Sequence, residues 1–391
     1  MKFTNALAII ILLFFSFPAI AQTEEKSYLF KAITSDDGLT NNVVYDVLLD
    51  SKGYVWIATD NGLNRYNGYS TEKYFNKITD STSLSSSVIR SLIEDKNGNI
   101  WIGTKNGINI FHKEKKNFLK PLKPIDTLLQ NKEIMKMALD SYGKIWINTL
   151  SDIGFINPET NVFQSVLSSN ANPYMTMANG KVWMLNGKGR LSLYHIALKT
   201  LEAVIEDPVL VGKPIYYGKY SKKLWLPSQI KSKLDDKIYG VLPKLPNQLA
   251  PNHLLEIDSE TLLIGTIEGL YEYNFISNKL KKLHLGQSIL VQQVRSLYKD
   301  NLGSVWVGTL GGVYHYDPFR KIFRHVDLDK TSDDIAVGLQ TVTNGIFVNA
   351  LGKGVYFKSN QSETFKKVDL PSEFPDQGLF VWDFVEVSES N

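Results

Sequence analysis

The stretch LLDSKGYVWIATDNGLNRY, residues 48–66, contains the pattern that decides the fold. Two other stretches repeat it closely: LIEDKNGNIWIGTKNGINIF at 92–111 and LYKDNLGSVWVGTLGGVYHY at 297–316. Each copy has an apolar run, a D-x-x-G turn, a second apolar run around a Trp, and a hairpin that contains Gly. Such repeats at a period of about 40 residues are typical of β-propellers in which one repeat forms one blade.

An apolar anchor at the Trp position allows the blades to be counted. It recurs eight times, at spacings between 37 and 45 residues. The anchors are Trp56, Trp101, Trp146, Trp183, Trp225, Leu263, Trp306 and Phe347. We therefore predict an all-β fold: a seven-bladed β-propeller of four-stranded antiparallel blades over residues 22–329, followed over 330–391 by the incomplete start of a second propeller.

The local chemistry of one repeat predicts its strand order. The β-branched run 43–49 is typical of a buried inner strand, and the hairpin at Asn61 and Gly62 joins the second strand to the third. Between the first two strands, an Asp that accepts turn amides is followed three residues later by a Gly with positive φ. These turn residues are Asp50 and Gly53, Asp95 and Gly98, Asp140 and Gly143, and Asp300 and Gly303.

Both ends of the chain carry signals of their own. Residues 28–34 (YLFKAIT) resemble a fourth strand without its first three, so they could complete the last blade and lock the ring. An N-terminal arm packed on the side of blade 1 is the alternative. Trp382 occupies the place that precedes the anchor by 11 residues, so the next anchor would fall beyond the last residue, Asn391. We therefore expect a fragment of a longer protein.

The first 21 residues have the pattern of a secretory signal peptide. An apolar run over 6–17 is followed by Ala19-Ile20-Ala21, which predicts cleavage before Gln22; an uncleaved N-terminal anchor is the alternative. The chain contains no Cys, so an exported form has no disulfide to make and no lipid-anchoring Cys. We expect an exported protein on the periplasmic side of the inner membrane. A net charge of +3 argues against contact with nucleic acid.

Residues 38–66 (GLTNNVVYDVLLDSKGYVWIATDNGLNRY) resemble the two-component regulator propeller repeat. The resemblance implies the periplasmic sensor region of a Bacteroidetes hybrid two-component system, with an oligosaccharide as its signal and a C-terminal histidine kinase outside this chain. It also implies homodimerisation through the full-length sensor and a membrane link only through the missing C-terminal regions. The chain itself has no phosphoacceptor His in a helical H-E context and no Gly-rich ATP lid, so we expect no enzyme activity from it.

The predicted strand order places the hairpins between second and third strands on the same face as the loops between blades. Polar loops such as SDDGLTNN and residues 76–87 converge there, where binding groups are expected. One inner-strand position holds Tyr45, Arg90, Met135 and Arg295 near the mouth of the central channel. Tyr45, Arg90 and Arg295 are our ligand-binding candidates, since Arg and Tyr suit a sugar or uronate; Arg65 and Arg190 are weaker ones. Alternatively, these side chains hydrogen-bond carbonyls that line a wet channel.

Catalytic and metal sites are not predicted. The D-x-x-G turn resembles the Asp box of sialidases but is a folding turn in both cases, and adjacent acids such as Asp36-Asp37 are usually solvated. The six His show no zinc spacing, so we expect no metal, no cofactor and no catalytic residue. Two other functions remain open: a secreted propeller glycoside hydrolase or lyase, which would turn over its substrate, and an exported protein-interaction scaffold, which would expose a large apolar patch.

Overall fold

The computed structural model describes residues 28–112, 114–115, 117–119, 128–157, 160–169, 173–178, 180–227, 235, 237–319, 336–350, 354–362 and 364–369. The predicted signal peptide and Trp382 lie outside these ranges. Two compact units divide the chain, Met1–Pro318 and Phe319–Asn391. Each is described by itself.

Blades 1 to 3 are four-stranded antiparallel meanders whose strands pair in chain order. Each forms where the β-branched runs of the repeat alternate with its D-x-x-G turn and its Gly hairpin. An earlier strand, β1 (Phe30–Ile33), precedes blade 1 in the chain, so blade 1 consists of β2 to β5. Numbered along the chain, the strands of blades 1 to 3 are β2 (Val44–Leu49), β3 (Val55–Thr59), β4 (Gly62–Tyr66), β5 (Thr71–Tyr74), β6 (Ile89–Glu94), β7 (Ile100–Thr104), β8 (Gly107–His112), β9 (Asn117–Leu119), β10 (Ile134–Leu139), β11 (Ile145–Thr149), β12 (Asp152–Asn157) and β13 (Val162–Ser168).

Blades 4 and 6 have the same meander, although their repeats are less regular in sequence. Blade 4 comprises β14 (Tyr174–Ala178), β15 (Lys181–Leu185), β16 (Arg190–His195) and β17 (Thr200–Glu206). After blade 5, whose strands are β18 (Tyr216–Tyr217), β19 (Leu224–Leu226) and β20 (Tyr239–Val241), blade 6 comprises β21 (His253–Glu256), β22 (Thr261–Thr266), β23 (Gly269–Asn274) and β24 (Lys279–Leu283).

Blade 5 corrects the prediction that every repeat folds as four antiparallel strands. In the part of the chain that the structure describes, its sheet has three strands, and β19 pairs with β20 in parallel. The sequence shows a reason: Pro227 directly follows β19, where a regular repeat has a hairpin ending in Gly. Because Pro lacks the amide that a ladder needs, it favours the end of a strand. A tight antiparallel return is therefore not formed at this point.

Blade 7 takes its outermost strand from the start of the chain. It comprises β25 (Val294–Lys299), β26 (Val305–Thr309) and β27 (Gly312–Tyr316), and β1 pairs antiparallel with β27, from Phe30 opposite Tyr316 to Ile33 opposite Val313. The two ends of the first unit are thus hydrogen-bonded in one sheet. The ladder of β27 is thereby paired on both sides, and β1 forms the outer edge of blade 7.

Seven clusters of buried residues form the core, and each lies between two neighbouring blades. The anchoring Trp of a blade packs against the next blade: Trp56 lies with Ile100 and Ile102 of blade 2. Trp306 of blade 7 lies with Val44 and Val47 of blade 1, which closes the ring. The interior of the propeller is therefore divided among its blade interfaces, as expected for a sheet that buries two faces.

The D-x-x-G turns fix the anchors. Asp50 Oδ1 accepts the amides of Lys52 and Tyr54 at 2.9 Å, and Oδ2 accepts the indole N–H of Trp56 at 2.8 Å. Gly53 adopts φ +85°, which favours glycine. The same bond from Asp to Trp joins Asp95 to Trp101, Asp140 to Trp146 and Asp300 to Trp306, each at 3.0 Å.

Short helical turns lie in the connections, and the second unit is a sheet. Three 3-10 turns occupy Ser35–Asp37, Pro208–Leu210 and Pro246–Gln248, and helix α1 occupies Ile289–Gln292. Among the described residues, no helix is long and apolar enough to cross a membrane. In the second unit, β28 (Ala336–Val342), β29 (Gly345–Ala350), β30 (Gly354–Ser359) and β31 (Lys366–Lys367) form an antiparallel meander. Phe347, the eighth anchor, lies on β29.

Candidate ligand-binding face

The meander gives the propeller two distinct faces. The D-x-x-G turns, which join first and second strands, lie on one of them, here called the turn face. The hairpins between second and third strands and the loops between successive blades lie on the other, here called the loop face. Three cavities of about 350, 370 and 360 Å³ open on the first unit, and each is lined by segments of the loop face.

The first cavity, here called the loop cavity, is built around residues 76–85. Asn106 from the hairpin of blade 2 and Gln130 from the next loop complete its wall. Its lining consists mostly of amide, hydroxyl and carboxylate side chains, with Ile78 fully exposed at the loop tip, 98 %. Groups of this kind can donate and accept hydrogen bonds from a ligand rich in hydroxyl groups.

The loop that forms this cavity is held by its own hydrogen bonds. Asp80 Oδ1 accepts the amide and the hydroxyl of Thr82, and these bonds lower the pKa of the Asp80 carboxyl. The Ser83 hydroxyl donates to the carbonyls of Lys77 and Asp80 and accepts the amide of Lys77 at 2.9 Å. The Ser85 amide donates to Asn109 Oδ1 at 2.8 Å, which ties the loop to blade 2. The cavity is therefore formed before any ligand arrives.

Two further cavities lie over blades 3 to 6. Arg190 lines one of them together with Ser168, Lys188 and Glu206. The other is bordered by Lys213 and the segment 242–251, in which Asn247 and Gln248 both have positive φ, 51° and 54°. Two successive non-glycine residues in this region indicate local strain. The cavity beside 242–251 mixes lysines with Pro and Leu side chains, whereas the Arg190 cavity is lined by polar and charged side chains of both signs.

The candidates at the channel mouth share one backbone feature. In the inner strands of blades 1, 2, 3 and 7, the pairing register shifts by one residue at the second strand position. The extra residue of each bulge is Tyr45, Arg90, Met135 or Arg295. A β-bulge redirects a side chain away from the regular alternation of the strand. The sequence column that we selected is thus a column of bulge residues.

The structure brings Tyr45 and Arg90 together. The Arg90 guanidinium carbon lies 4.1 Å from the centre of the Tyr45 ring, its Nε lies 2.6 Å from Glu133 Oε1, and Nη1 lies 3.9 Å from Asp60 Oδ1. The Tyr45 hydroxyl donates to Asp60 at 3.0 Å. Burial opposes the charge of Arg90, but the hydrogen bonds to Glu133 and Tyr45 outweigh it and raise its pKa. Arg90 is therefore committed to carboxylates of the protein rather than to backbone carbonyls.

Arg295 and Arg65 have different surroundings. Arg295 is exposed, and among the described residues nothing forms a hydrogen bond or ion pair with it. Arg65 lies away from the mouth, on β4, with its guanidinium carbon 3.6 Å above the Tyr54 ring and Nη1 3.4 Å from Glu72 Oε2. Its contacts are those of a packing residue between blades 1 and 2.

Sequence reasoning missed three charged or titratable residues inside the channel. Lys136 of blade 3 reaches Asp46 Oδ2 of blade 1 at 3.6 Å. Burial lowers the pKa of His253, on blade 6, to about 3, and the charge of Lys136 acts in the same direction. Because these blades are not neighbours, the groups meet across the channel axis. Charged residues are rare in buried strands. Asp46 within VYDVLL and Lys136 within IMKMAL were therefore the sequence signals that could have revealed this group.

The acidic and histidine side chains of the described residues bear on metal binding and catalysis. Within the described ranges, no group of three or more His, Cys, Asp or Glu side chains is placed to hold a metal ion. The carboxylates nearest to the mouth, Asp60 and Glu133, are paired with Arg90. The arrangement on the loop face can hold a polar ligand through hydrogen bonds.

The repeats match a known family. A family model described as "Two component regulator propeller" matches residues 38–61 and 83–106, which carry the turns and anchors of blades 1 and 2. Residues 38–61 and 83–106 are two component regulator propeller repeats. The resemblance stated from residues 38–66 is thereby confirmed, and the regulator propeller repeats of blades 1 and 2 include both Tyr45 and Arg90.

Proteins similar to this chain are known at the level of sequence and of fold. Over 63 residues the chain is 36 % identical to Histidine kinase P4 of Formosa agariphila. The aligned region covers 16 % of this chain and 5 % of that kinase. The same fold is found in the extracellular domain described as part of the hybrid two component system BT3049 from B. thetaiotaomicron, with a TM-score of 0.58 and 19 % identity. The alignment covers 86 % of this chain and 48 % of that one. YCF48 bound to D1 peptide aligns with a TM-score of 0.51 and 11 % identity. This alignment covers 76 % of this chain and 100 % of the YCF48 chain.

These matches confirm the all-β propeller prediction. The chain spans about half the length of the BT3049 domain, at 48 %. At 19 % and 11 % identity, the two structural likenesses establish the fold and leave the ligand open.

Proposed function

We propose that this chain is the ligand-sensing propeller region of a hybrid two-component sensor and that it binds an oligosaccharide on its loop face. The regulator propeller repeats and the match to a histidine kinase support the sensor role. The single observation that carries the ligand class is the loop cavity, which is preformed and lined mainly by amide and hydroxyl groups. Sugars are recognised by such fixed polar groups, which replace the water around their hydroxyls.

The proposed role is binding without turnover. The signal would pass to a histidine kinase beyond this chain, and the propeller would act on the outer side of the inner membrane. The likeness to an extracellular domain of B. thetaiotaomicron supports this location. Selection of the signal then depends on the loops, because blade cores that are so similar in sequence cannot distinguish one ligand from another.

Equilibrium dialysis against oligosaccharides released from xylan, pectin, alginate and glycogen tests the proposal. The retained species would be identified by mass spectrometry, and its affinity measured by calorimetry. Release of shorter products during incubation would contradict a binding role and support a glycoside hydrolase or lyase. Retention of none of these saccharides would contradict the carbohydrate assignment.

Two asparagines of blade 2 provide matched variants. Asn106 lies in the hairpin on the loop face and lines the loop cavity, whereas Asn97 lies in the turn on the opposite face, and both are exposed. Asn106→Ala should weaken binding of the retained saccharide by about fivefold or more, the value of one or two hydrogen bonds. Asn97→Ala should leave the affinity unchanged. Equal effects of the two variants would place the ligand elsewhere.

A further inference from the structure

Arg90 and Arg295 occupy the same place in two blades, so their surroundings can be compared position by position. Each is the bulge residue of an inner strand, with Ser91 and Ser296 directly after it. For Arg90, the preceding blade supplies Asp60 from its hairpin, and the following blade supplies Glu133 from the residue before its inner strand. Two carboxylates thus converge on one guanidinium.

Around Arg295, the two positions equivalent to Asp60 and Glu133 hold no carboxylate. Thr266 pairs with Gly269 in blade 6 as Thr59 pairs with Gly62 in blade 1, so Ile267 stands where Asp60 stands. Val43 precedes β2 as Glu133 precedes β10. An Ile and a Val therefore flank Arg295 at the places where Arg90 has two acids.

The charge of Arg295 is consequently uncompensated. Its side chain is exposed, and in the part of the chain that the structure describes no carboxylate lies within ion-pair distance of it. The next inner strand, β2 of blade 1, carries Tyr45 at the same bulge position, where its ring is covered by Arg90 at 4.1 Å. The guanidinium of Arg295 is thus left available at the channel mouth.

We propose that Arg295 is an anion-binding residue that selects oligosaccharides carrying a carboxylate or a sulfate group. The inference rests on the proposed carbohydrate function and adds the charge class of the ligand. The planar guanidinium can bind two oxygens of either group at once. Arg90, although identical in position, has its charge compensated by Glu133 and Asp60.

Two variants of the full chain separate this role from a general effect of charge. Arg295→Met removes the guanidinium and keeps an extended side chain of similar length. Ile267→Asp keeps Arg295 and gives it an acid at the position from which Asp60 pairs with Arg90. Lys52→Met, which removes one positive charge from the exposed turn face, is the control. Calorimetry would use three probes of equal length: tetragalacturonate, a sulfated galactan tetrasaccharide and neutral galactotetraose.

We expect one of the two acidic probes to bind at least tenfold more tightly than the neutral one, since a charge-assisted pair of hydrogen bonds has about this effect. Arg295→Met and Ile267→Asp should both abolish that preference, and Lys52→Met should not. Which acidic probe is preferred distinguishes carboxylate from sulfate. Equal affinity for all three probes, or a preference that survives both variants, would overturn the inference while leaving the carbohydrate function intact. Binding of no probe would count against both.

Discussion

In blades 7, 1, 2 and 3, the regular arc of the ring, each anchoring Trp is hydrogen-bonded by the Asp of its own turn. Blades 4, 5 and 6 form the irregular arc, where this Asp is missing. In blade 6 the loss is matched, because Leu263 replaces the Trp and Ile257 replaces the Asp. An apolar anchor has no donor to satisfy, so both members of the pair can change together.

Blade 5 keeps its Trp and obtains the carboxylate from elsewhere. Gly218 stands at the position of the turn Asp. Its amide donates to the carbonyl of Lys223, as the amide of Asp50 donates to the carbonyl of Tyr54 in blade 1. Glu256 of blade 6 fills the place: it accepts the indole N–H of Trp225 at 2.8 Å, and a Cβ on Gly218 would overlap with its carboxylate. The comparison shows that the buried indole requires an acceptor but not one from its own blade.

The largest effect is expected for Glu256→Ala. Glu256 also accepts the amides of Tyr220 and Ser221, at 2.8 and 3.1 Å, and the Ser221 hydroxyl. Its loss leaves these donors and the Trp225 indole unpaired at the junction of two blades, so the free energy of unfolding should fall by about 4 kcal/mol. Urea denaturation would measure it. Adding Gly218→Asp should restore part of the stability, because it returns the carboxylate to blade 5. If it restores none, Glu256 has not replaced the turn Asp as the acceptor for Trp225.

Asp50→Ala should have a somewhat smaller effect, because Asp50 serves one blade. Three donors, the amides of Lys52 and Tyr54 and the Trp56 indole, would lose a buried acceptor. We expect the free energy of unfolding to fall by about 3 kcal/mol, measured by urea denaturation. In a Trp56→Phe background the same substitution should cost less, since one donor is already absent. Equal costs in both backgrounds would show that the indole bond contributes little.

The regular arc could be predicted from sequence because its signals are local. Asp50, Gly53 and Trp56 lie within seven residues, and the turn, the positive φ and the indole bond all follow from that spacing. The roles of Glu256 and Lys136 could not be predicted, because each acts on a residue of another blade. Their partners become neighbours only when the blades pack together. The bulge column was visible in the sequence, but the carboxylates that distinguish Arg90 from Arg295 lie on two other strands.

The irregular arc also contains a group that should make stability depend on pH. Burial, assisted by Lys136, lowers the pKa of His253 to about 3, against about 6.5 in an unfolded chain. Between these values the unfolded state binds the proton and the folded state does not, so stability falls as the pH drops below 6.5. From pH 7 to pH 5, the wild type should lose about 2 kcal/mol more than His253→Gln. Parallel pH profiles of the free energy of unfolding would contradict this expectation.

The smallest effects concern two bulge arginines of the regular arc, Arg90 of blade 2 and Arg295 of blade 7. Arg90 is half-buried and bonded to Glu133 and Asp60, so Arg90→Ala leaves two carboxylates without their cation and should lower the free energy of unfolding by about 1.5 kcal/mol. Arg295→Ala should change it by less than about 0.5 kcal/mol, because an exposed, unpaired side chain contributes little. Urea denaturation of both variants provides the measurement. An equal loss of stability would mean that Arg295 also serves the fold, and blade 6 would then have to supply a partner other than Ile267.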